Sequence, residues 1–250
     1  DETQIAGGVA DDSLFSRPWA VALTYPRGAL VTDTRRRTVP RCRRCWMHVP
    51  LCLCELMPPV ESRTRVVVLM HSKERVRMSN SARLAALFLD RGEVRIRGEK
   101  GRPLDPDGVC SPDRHNVVLF PSADAEVLDT GWSAPEDLPV NLIVPDGNWG
   151  QVRRLVRREP VLAGLPHLRL PVGPPSRFRL RTQPRPDGLA TFEAIARALG
   201  CLEGVTVQSP LDYVFDVMVE RTLWTRGQLD AGQVTGGIPA AAFRPPLEAG

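Results

Sequence analysis

Three stretches of the chain are almost continuously apolar and rich in β-branched residues: Arg65-Val66-Val67-Val68-Leu69-Met70-His71, Asn116-Val117-Val118-Leu119-Phe120 and Val140-Asn141-Leu142-Ile143-Val144. Such runs, without regular polar alternation, predict strands buried on both faces, as in a parallel sheet. Elsewhere the apolar positions recur at helical spacing. Leu84, Leu87 and Phe88 share one side of a helix expected over 81–91, with Ser79 or Ser81 as N-cap and Gly92 just past its end. Val152, Leu155 and Val156 do the same after Trp149. A further helix is expected over 189–200, with Phe192, Ile195, Ala196 and Leu199 inward and Gly200 at its end. The last starts at Ser209-Pro210, an N-cap followed by proline at the first position, and stops at Gly227; its stripe is Leu211, Val214, Phe215, Met218 and Thr222. Arg177-Phe178-Arg179-Leu180-Arg181 alternates with period two, which predicts a strand with three guanidinium groups on one face. Residues 98–114 and Pro171–Pro175 read as connections. Strands alternating with helices give an α/β fold with a largely parallel sheet.

A chain of 250 residues can bury a full core. Residues 1–38 mix Gly, Pro, Asp and Arg without periodicity and are expected to be a mobile extension, although Trp19–Leu23 has the composition of a short strand. Residues 39–60 carry a cysteine cluster, 61–227 the α/β domain, and 228–250, with Gly236-Gly237, Pro239, Pro245 and Pro246, a mobile tail. No run of about 20 apolar residues is present, so no membrane span is expected. Nor does the start resemble a signal peptide, and the missing initiator Met suggests a processed or trimmed start.

The cysteines change this picture most. Four of the six are Cys42, Cys45, Cys52 and Cys54, in the spacing C-x2-C-x6-C-x-C. Two tight turns, each presenting two thiolates, can complete a tetrahedral sulfur shell, and a closed shell of this kind is structural zinc rather than catalytic. The competing readings are reduced thiols, or His48 in place of one sulfur. Crowded cysteines of this type also argue against a secreted disulfide framework, and the cytoplasm is the expected compartment. Cys110 and Cys201 are isolated and read as packing residues.

The formal charge is only +4, but Lys73 and Lys100 are the sole lysines, so the basic residues are almost all arginine. Arginine's planar fork suits phosphate and stacks on bases. Genome composition explains the number equally well, so position has to decide. Arg153, Arg154, Arg157 and Arg158 lie on one predicted helix, and Arg177, Arg179 and Arg181 on one predicted strand face. Together they make a candidate phosphate-binding surface, against the alternative of a solvated charged face. Arg41, Arg43 and Arg44 add basic side chains to the cysteine module.

Candidate chemistry concentrates where Val140–Pro145 runs into Asp146-Gly147-Asn148-Trp149. In open α/β sheets ligands bind beyond the carboxyl ends of parallel strands, and this loop brings a carboxylate, a glycine and an indole there. The plain alternatives are an Asp-Gly turn or N-cap aspartate and a tryptophan packed on the core.

In order along the chain, these pieces resemble the DTW-domain family, similar to tRNA-uridine aminocarboxypropyltransferases. The resemblance covers about residues 41–226. It takes in the four cysteines, His71-Ser72-Lys73-Glu74, Ser79-Asn80-Ser81, Phe120-Pro121-Ser122, Asp146-Gly147-Asn148-Trp149, Arg179-Leu180-Arg181, Ala190-Thr191-Phe192-Glu193-Ala194 and Leu211–Val219. The family's Asp-x-x-Trp motif usually has Thr before Trp, where this chain has Asn148, and Pro after the first His, where it has Ser72.

The resemblance implies a SPOUT-like fold with helices on both sheet faces and a carboxyl-terminal knot that forms a pocket for S-adenosylmethionine. It implies transfer of the 3-amino-3-carboxypropyl group to N3 of a uridine in tRNA, releasing methylthioadenosine. Asp146 would accept the N3 proton or hold the donor's amino group, and Trp149 would stack on the uracil or face the sulfonium. Pro121, Ser122, Gly147, Asn148, Ala190, Thr191 and Phe192 would line the donor pocket, with Thr191 alternatively a helix cap. His71 and Glu74 lie near enough in sequence to a strand end to approach the donor or to serve local hydrogen bonding. An RNA methyltransferase with the same pocket, or a non-catalytic zinc-containing RNA-binding protein, are the competing functions.

Overall fold

The computed structural model describes residues 40–75, 77–99, 101, 103–181 and 188–243. The expectations for 1–38, including a strand at Trp19–Leu23, lie outside these residues. In chain order the regular elements are β1 (Arg65–His71), α1 (Ser72–Arg75), α2 (Ala85–Phe88), β2 (Gly92–Arg97), β3 (His115–Leu119), β4 (Glu126–Val127), β5 (Val140–Asp146), α3 (Trp149–Arg158), β6 (His167–Arg169), α4 (Thr191–Glu203) and α5 (Val205–Thr225). The strands form one sheet in the order β2-β1-β5-β3-β6-β4, and every pairing is parallel.

Both sheet faces are covered, which is why the central strands show no polar alternation. On one face Val66, Val68, Met70, Leu142 and Val144 pack against Phe192, Ile195 and Leu199 of α4 and Leu211 and Phe215 of α5. On the other, Val67, Leu69, Val118 and Ile143 meet Leu155 of α3 and Leu162. β1, β3 and β5 match the strands expected from their apolar runs. β2 alternates apolar and charged residues as an edge strand can, whereas β4 and β6 are too short to leave a periodic signal.

Several expectations are corrected. The helix expected over 81–91 is only a 3-10 turn, Ala82–Leu84, followed by the single turn α2. It stops because the next residues pair instead with Val60, whose N–H donates to Phe88 O and whose O accepts from Asp90 N. Residues 177–181 do alternate, with Phe178 and Leu180 buried, but they join no sheet. Side chains meet their backbone groups: Glu193 accepts from Arg177 N, Ser176 Oγ from Phe178 N, and Arg226 donates to Leu180 O.

Gly200 does not end α4. It lies within the helix because a Cβ there would come 1.9 Å from Gln208 Oε1 of the next helix; Gly204, with φ 91°, ends it instead. Likewise α5 starts at Val205 and keeps Pro210 inside, so the packing of the α4–α5 pair outweighs one missing backbone donor. The carboxyl-terminal stretch, expected to be a tail from residue 228, packs back as far as residue 243. Thr235 N donates to Glu220, Val234 is buried, and Phe243 meets the Trp224 ring edge-on at 5.6 Å.

The cysteine segment is not a separate lobe. Cys45, Met47, Leu51 and Leu53 belong to the main core. Buried Arg221 of α5 donates to Leu51 O and Cys52 O and reaches Gly237 O at 3.5 Å, tying the segment and the carboxyl-terminal stretch to one helix.

Candidate active site

The carboxyl ends of β3, β5 and β6 open into a cavity of about 1020 Å³. Its wall includes Leu119–Pro121, Val144–Gly150, Leu168–Ser176 and Leu189–Thr191. Small-molecule sites run from about 300 to 1,000 Å³, so this cavity lies at the upper end of that range. The Pro171–Ser176 wall is held to α4: Arg197 donates to Pro174 O at 2.9 Å, and Ser176 Oγ to Glu193 at 2.5 Å. Glu193 is fully buried and also receives Arg197 Nη2 at 3.1 Å.

Asp146, the last residue of β5, is 5 % exposed. Thr191 Oγ1 donates to its Oδ1 at 2.5 Å and Asn80 Nδ2 to its Oδ2 at 2.7 Å. Burial pushes the carboxyl above its ordinary range, the two hydrogen bonds oppose this, the Glu74 charge adds to it and Arg181 opposes it. No guanidinium pairs with Asp146 among the described residues. Gly147 follows with a close approach, since a Cβ there would lie 3.0 Å from Gln151 Oε1.

Asn148 caps α3 reciprocally: its Oδ1 accepts from Gln151 N at 2.9 Å and its N–H donates to Gln151 Oε1 at 2.8 Å. Asn148 therefore serves as a helix cap. Trp149 opens α3 and stands half-buried on the cavity wall, outside both cores.

Of the other residues read as donor contacts, Pro121, Ala190 and Thr191 line the cavity. Ser122 instead bonds His167 Nδ1 at 2.7 Å, and Phe192 is a fully buried core side chain. His71 accepts from Lys73 N at Nδ1 and is absent from the lining.

Sequence reading did not assign Asn80, Ser79, Arg77 or Arg181 to the cavity, yet all four line it together with Glu74. Glu74 is 3 % exposed. It pairs with Arg77 Nε at 3.1 Å and Arg181 Nη1 at 3.2 Å. The available signal was Glu74 at a strand's carboxyl end with Arg77 three residues on; Arg181, 107 residues away, left none.

The arginine surface divides. Arg153, Arg154, Arg157 and Arg158 are exposed on α3. Arg177 is ion-paired with Asp212 and Asp216, both at 2.6 Å, and Arg179 lies 3.6 Å from Glu220. These two arginines are paired with acidic residues of α5, whereas the α3 arginines are exposed.

The sulfur atoms of Cys42, Cys45, Cys52 and Cys54 all lie within 4.8 Å of one another, and His48 is not in the group. Cys42–Cys54 and Cys45–Cys52 are each 3.7 Å apart. A tetrahedron with Zn–S of about 2.3 Å has edges of about 3.8 Å, so the donor set fits zinc. Leu53 N and Cys54 N donate to Cys45 and Cys52 sulfurs. Burial pushes the Cys52 thiol up to about 11, while the Cys54 side-chain hydrogen bond brings Cys45 down to about 5.

Residues 39–223 match the DTW domain. The chain belongs to the DTW-domain family. Among curated proteins, this DTW-domain chain is similar to tRNA-uridine aminocarboxypropyltransferase 2 of Macaca fascicularis, at 27 % identity over 79 % of this chain and 64 % of that protein. It is similar to the protein of the same name from Mus musculus, at 29 % identity over 70 % of this chain and 60 % of the relative. The Drosophila melanogaster protein gives 28 % over 65 % and 66 %. This DTW-domain chain thus spans 60 % to 66 % of the length of these relatives. No solved structure gives a significant match.

Proposed function

We propose that the chain transfers the 3-amino-3-carboxypropyl group of S-adenosylmethionine to N3 of a uridine in tRNA. A bond forms from N3 to the γ-carbon of the donor's amino-acid arm as the bond from that carbon to sulfur breaks. The electron pair stays on sulfur, methylthioadenosine leaves, and one proton is released from N3. The supporting observation is Asp146: a buried carboxylate with two neutral donors, beside an indole, on a cavity large enough for donor and base. The relatives' names supply the group and the acceptor class.

The sulfonium is already electrophilic, so alignment matters more than proton removal. Holding reactants in line can contribute about 7–11 kcal/mol, against roughly 10²- to 10⁴-fold from a general base. The all-parallel sheet and its cavity are compatible with a SPOUT-like pocket, in which the carboxyl-terminal part would be threaded through a knot. Cys42, Cys45, Cys52 and Cys54 would hold a structural zinc ion, which fixes the segment and supplies no chemistry to the reaction. The exposed arginines of α3 offer the tRNA phosphates a surface adjoining the cavity mouth, and a tRNA substrate implies a cytoplasmic site of action.

The deciding experiment is incubation of the full chain with carboxyl-labelled S-adenosylmethionine and bulk tRNA, followed by digestion to nucleosides. Label in a modified uridine is expected. A methylated nucleoside with S-adenosylhomocysteine would replace this reading with methyl transfer. Failure to bind S-adenosylmethionine would leave an RNA-binding protein.

A further inference from the structure

The donor in this reading ends in an α-amino acid, an ammonium and a carboxylate on one carbon. The cavity offers a matching pair of poles. One is cationic: Glu74 holds both Arg77 and Arg181, so two guanidinium groups share one buried carboxylate and one positive charge is in excess. Arg181 donates through Nε to Ser79 Oγ at 2.6 Å and through Nη1 to Glu74. Arg181 also lines the cavity, where a guanidinium can take up a carboxylate oxygen.

The other pole is an acceptor. Asp146 faces only neutral donors. Asn80, 6 % exposed and lining the cavity, has a buried Oδ1 with no hydrogen-bond partner. Buried polar atoms rarely stay unpaired without a reason. Adjacent residues join the poles, since Ser79 holds Arg181 and Asn80 holds Asp146, so the distance between them is fixed by one peptide link.

We infer that Arg181, assisted by Arg77, binds the carboxylate of the donor's amino-acid arm, while Asp146 and Asn80 Oδ1 accept from its ammonium. The inference rests on the donor assigned above. It also gives that reading a cause for group choice. A sulfonium carries three carbons, and tethering the arm at both charges turns its γ-carbon, rather than the methyl, toward the acceptor. Arg181 thereby leaves the tRNA-phosphate surface and becomes a specificity-determining residue. Arg177 and Arg179, already paired along α5, have no part in it.

Isothermal titration of the full chain with S-adenosylmethionine, S-adenosylhomocysteine, decarboxylated S-adenosylmethionine and methylthioadenosine tests the assignment. Arg181→Gln is expected to weaken the two ligands that carry the carboxylate by about tenfold or more. The two that lack it should change by less than about twofold, and Arg181→Lys should fall between for the carboxylate ligands. Thermal melting checks the fold. If Arg181→Gln does not fold, Arg77→Gln, whose side chain is 52 % exposed, carries the same comparison at a position that tolerates change. An equal shift for all four ligands, or for none, would overturn the clamp even where labelled transfer to uridine stands. A wild-type chain that binds no adenosyl compound would remove the donor reading itself, and the clamp with it.

Discussion

Asp146 shows what position does to one carboxyl group. In the unfolded chain it titrates as an ordinary carboxyl; in the fold, burial raises its pKa. Between the two values the unfolded state has lost its proton while the folded state keeps it, so folding stability falls as pH rises through that window and carries no penalty below it. Asp146→Asn removes the penalty. Its melting temperature relative to wild type is expected to improve from an acid pH below the ordinary carboxyl range to a neutral one. Transfer should drop by roughly 10²-fold or more. A stability offset equal at both pH values would mean that the carboxyl ionises freely. The residue was legible because a fully apolar run stopped at an acid, a glycine and an indole. That Arg181 lines the cavity was not legible, because its partners, Ser79 and Glu74, lie 102 and 107 residues away, beyond what local alternation reports.

Among elements, α5 has the widest reach. One helix buries Leu211, Val214 and Phe215 in the core, pairs with Arg177 and Arg179, and ends by holding the cysteine segment through Arg221. Arg221→Leu would strip donors from Leu51 O and Cys52 O. The expected loss is about 2–4 kcal/mol of folding stability, with faster release of zinc to a chelator from chain first loaded with zinc; unchanged release would show that the segment is held by its cysteines alone. The helix itself was readable from its stripe, but its start was not. Pro210 reads locally as a first-turn residue, and only the seat that Gly200 provides for Gln208 shows why the helix begins earlier. The cysteine geometry followed from spacing, whereas its burial against α5 depends on Leu51 and Leu53, which carry no motif.

Across the whole molecule, charge is distributed less evenly than the formal +4 implies. Exposed arginines remain on α3 while Arg177 and Arg179 are neutralised by α5. Arg153→Gln with Arg154→Gln should weaken tRNA binding and reduce the salt slope by about one for each phosphate that is no longer neutralised. Arg179→Gln should leave the slope as it is. A slope unchanged in the α3 double variant would move the RNA surface elsewhere. The α/β class and three central strands were readable because strands covered on both sides advertise themselves; the short outer strands and the cavity's second half depend on residues brought together from distant parts of the chain.

The register of the sheet has a consequence for synthesis. Arg65 of β1 stands beside Asn141 of β5, so on a translating ribosome β1 emerges with its other neighbour β2 long before β5, and α4 and α5 arrive later still. Parallel pairings of this range form slowly and leave sticky edges open meanwhile. The β5 side of β1 is therefore open until Val140–Asp146 has emerged, and a slower codon tempo before β5 would lengthen its exposure.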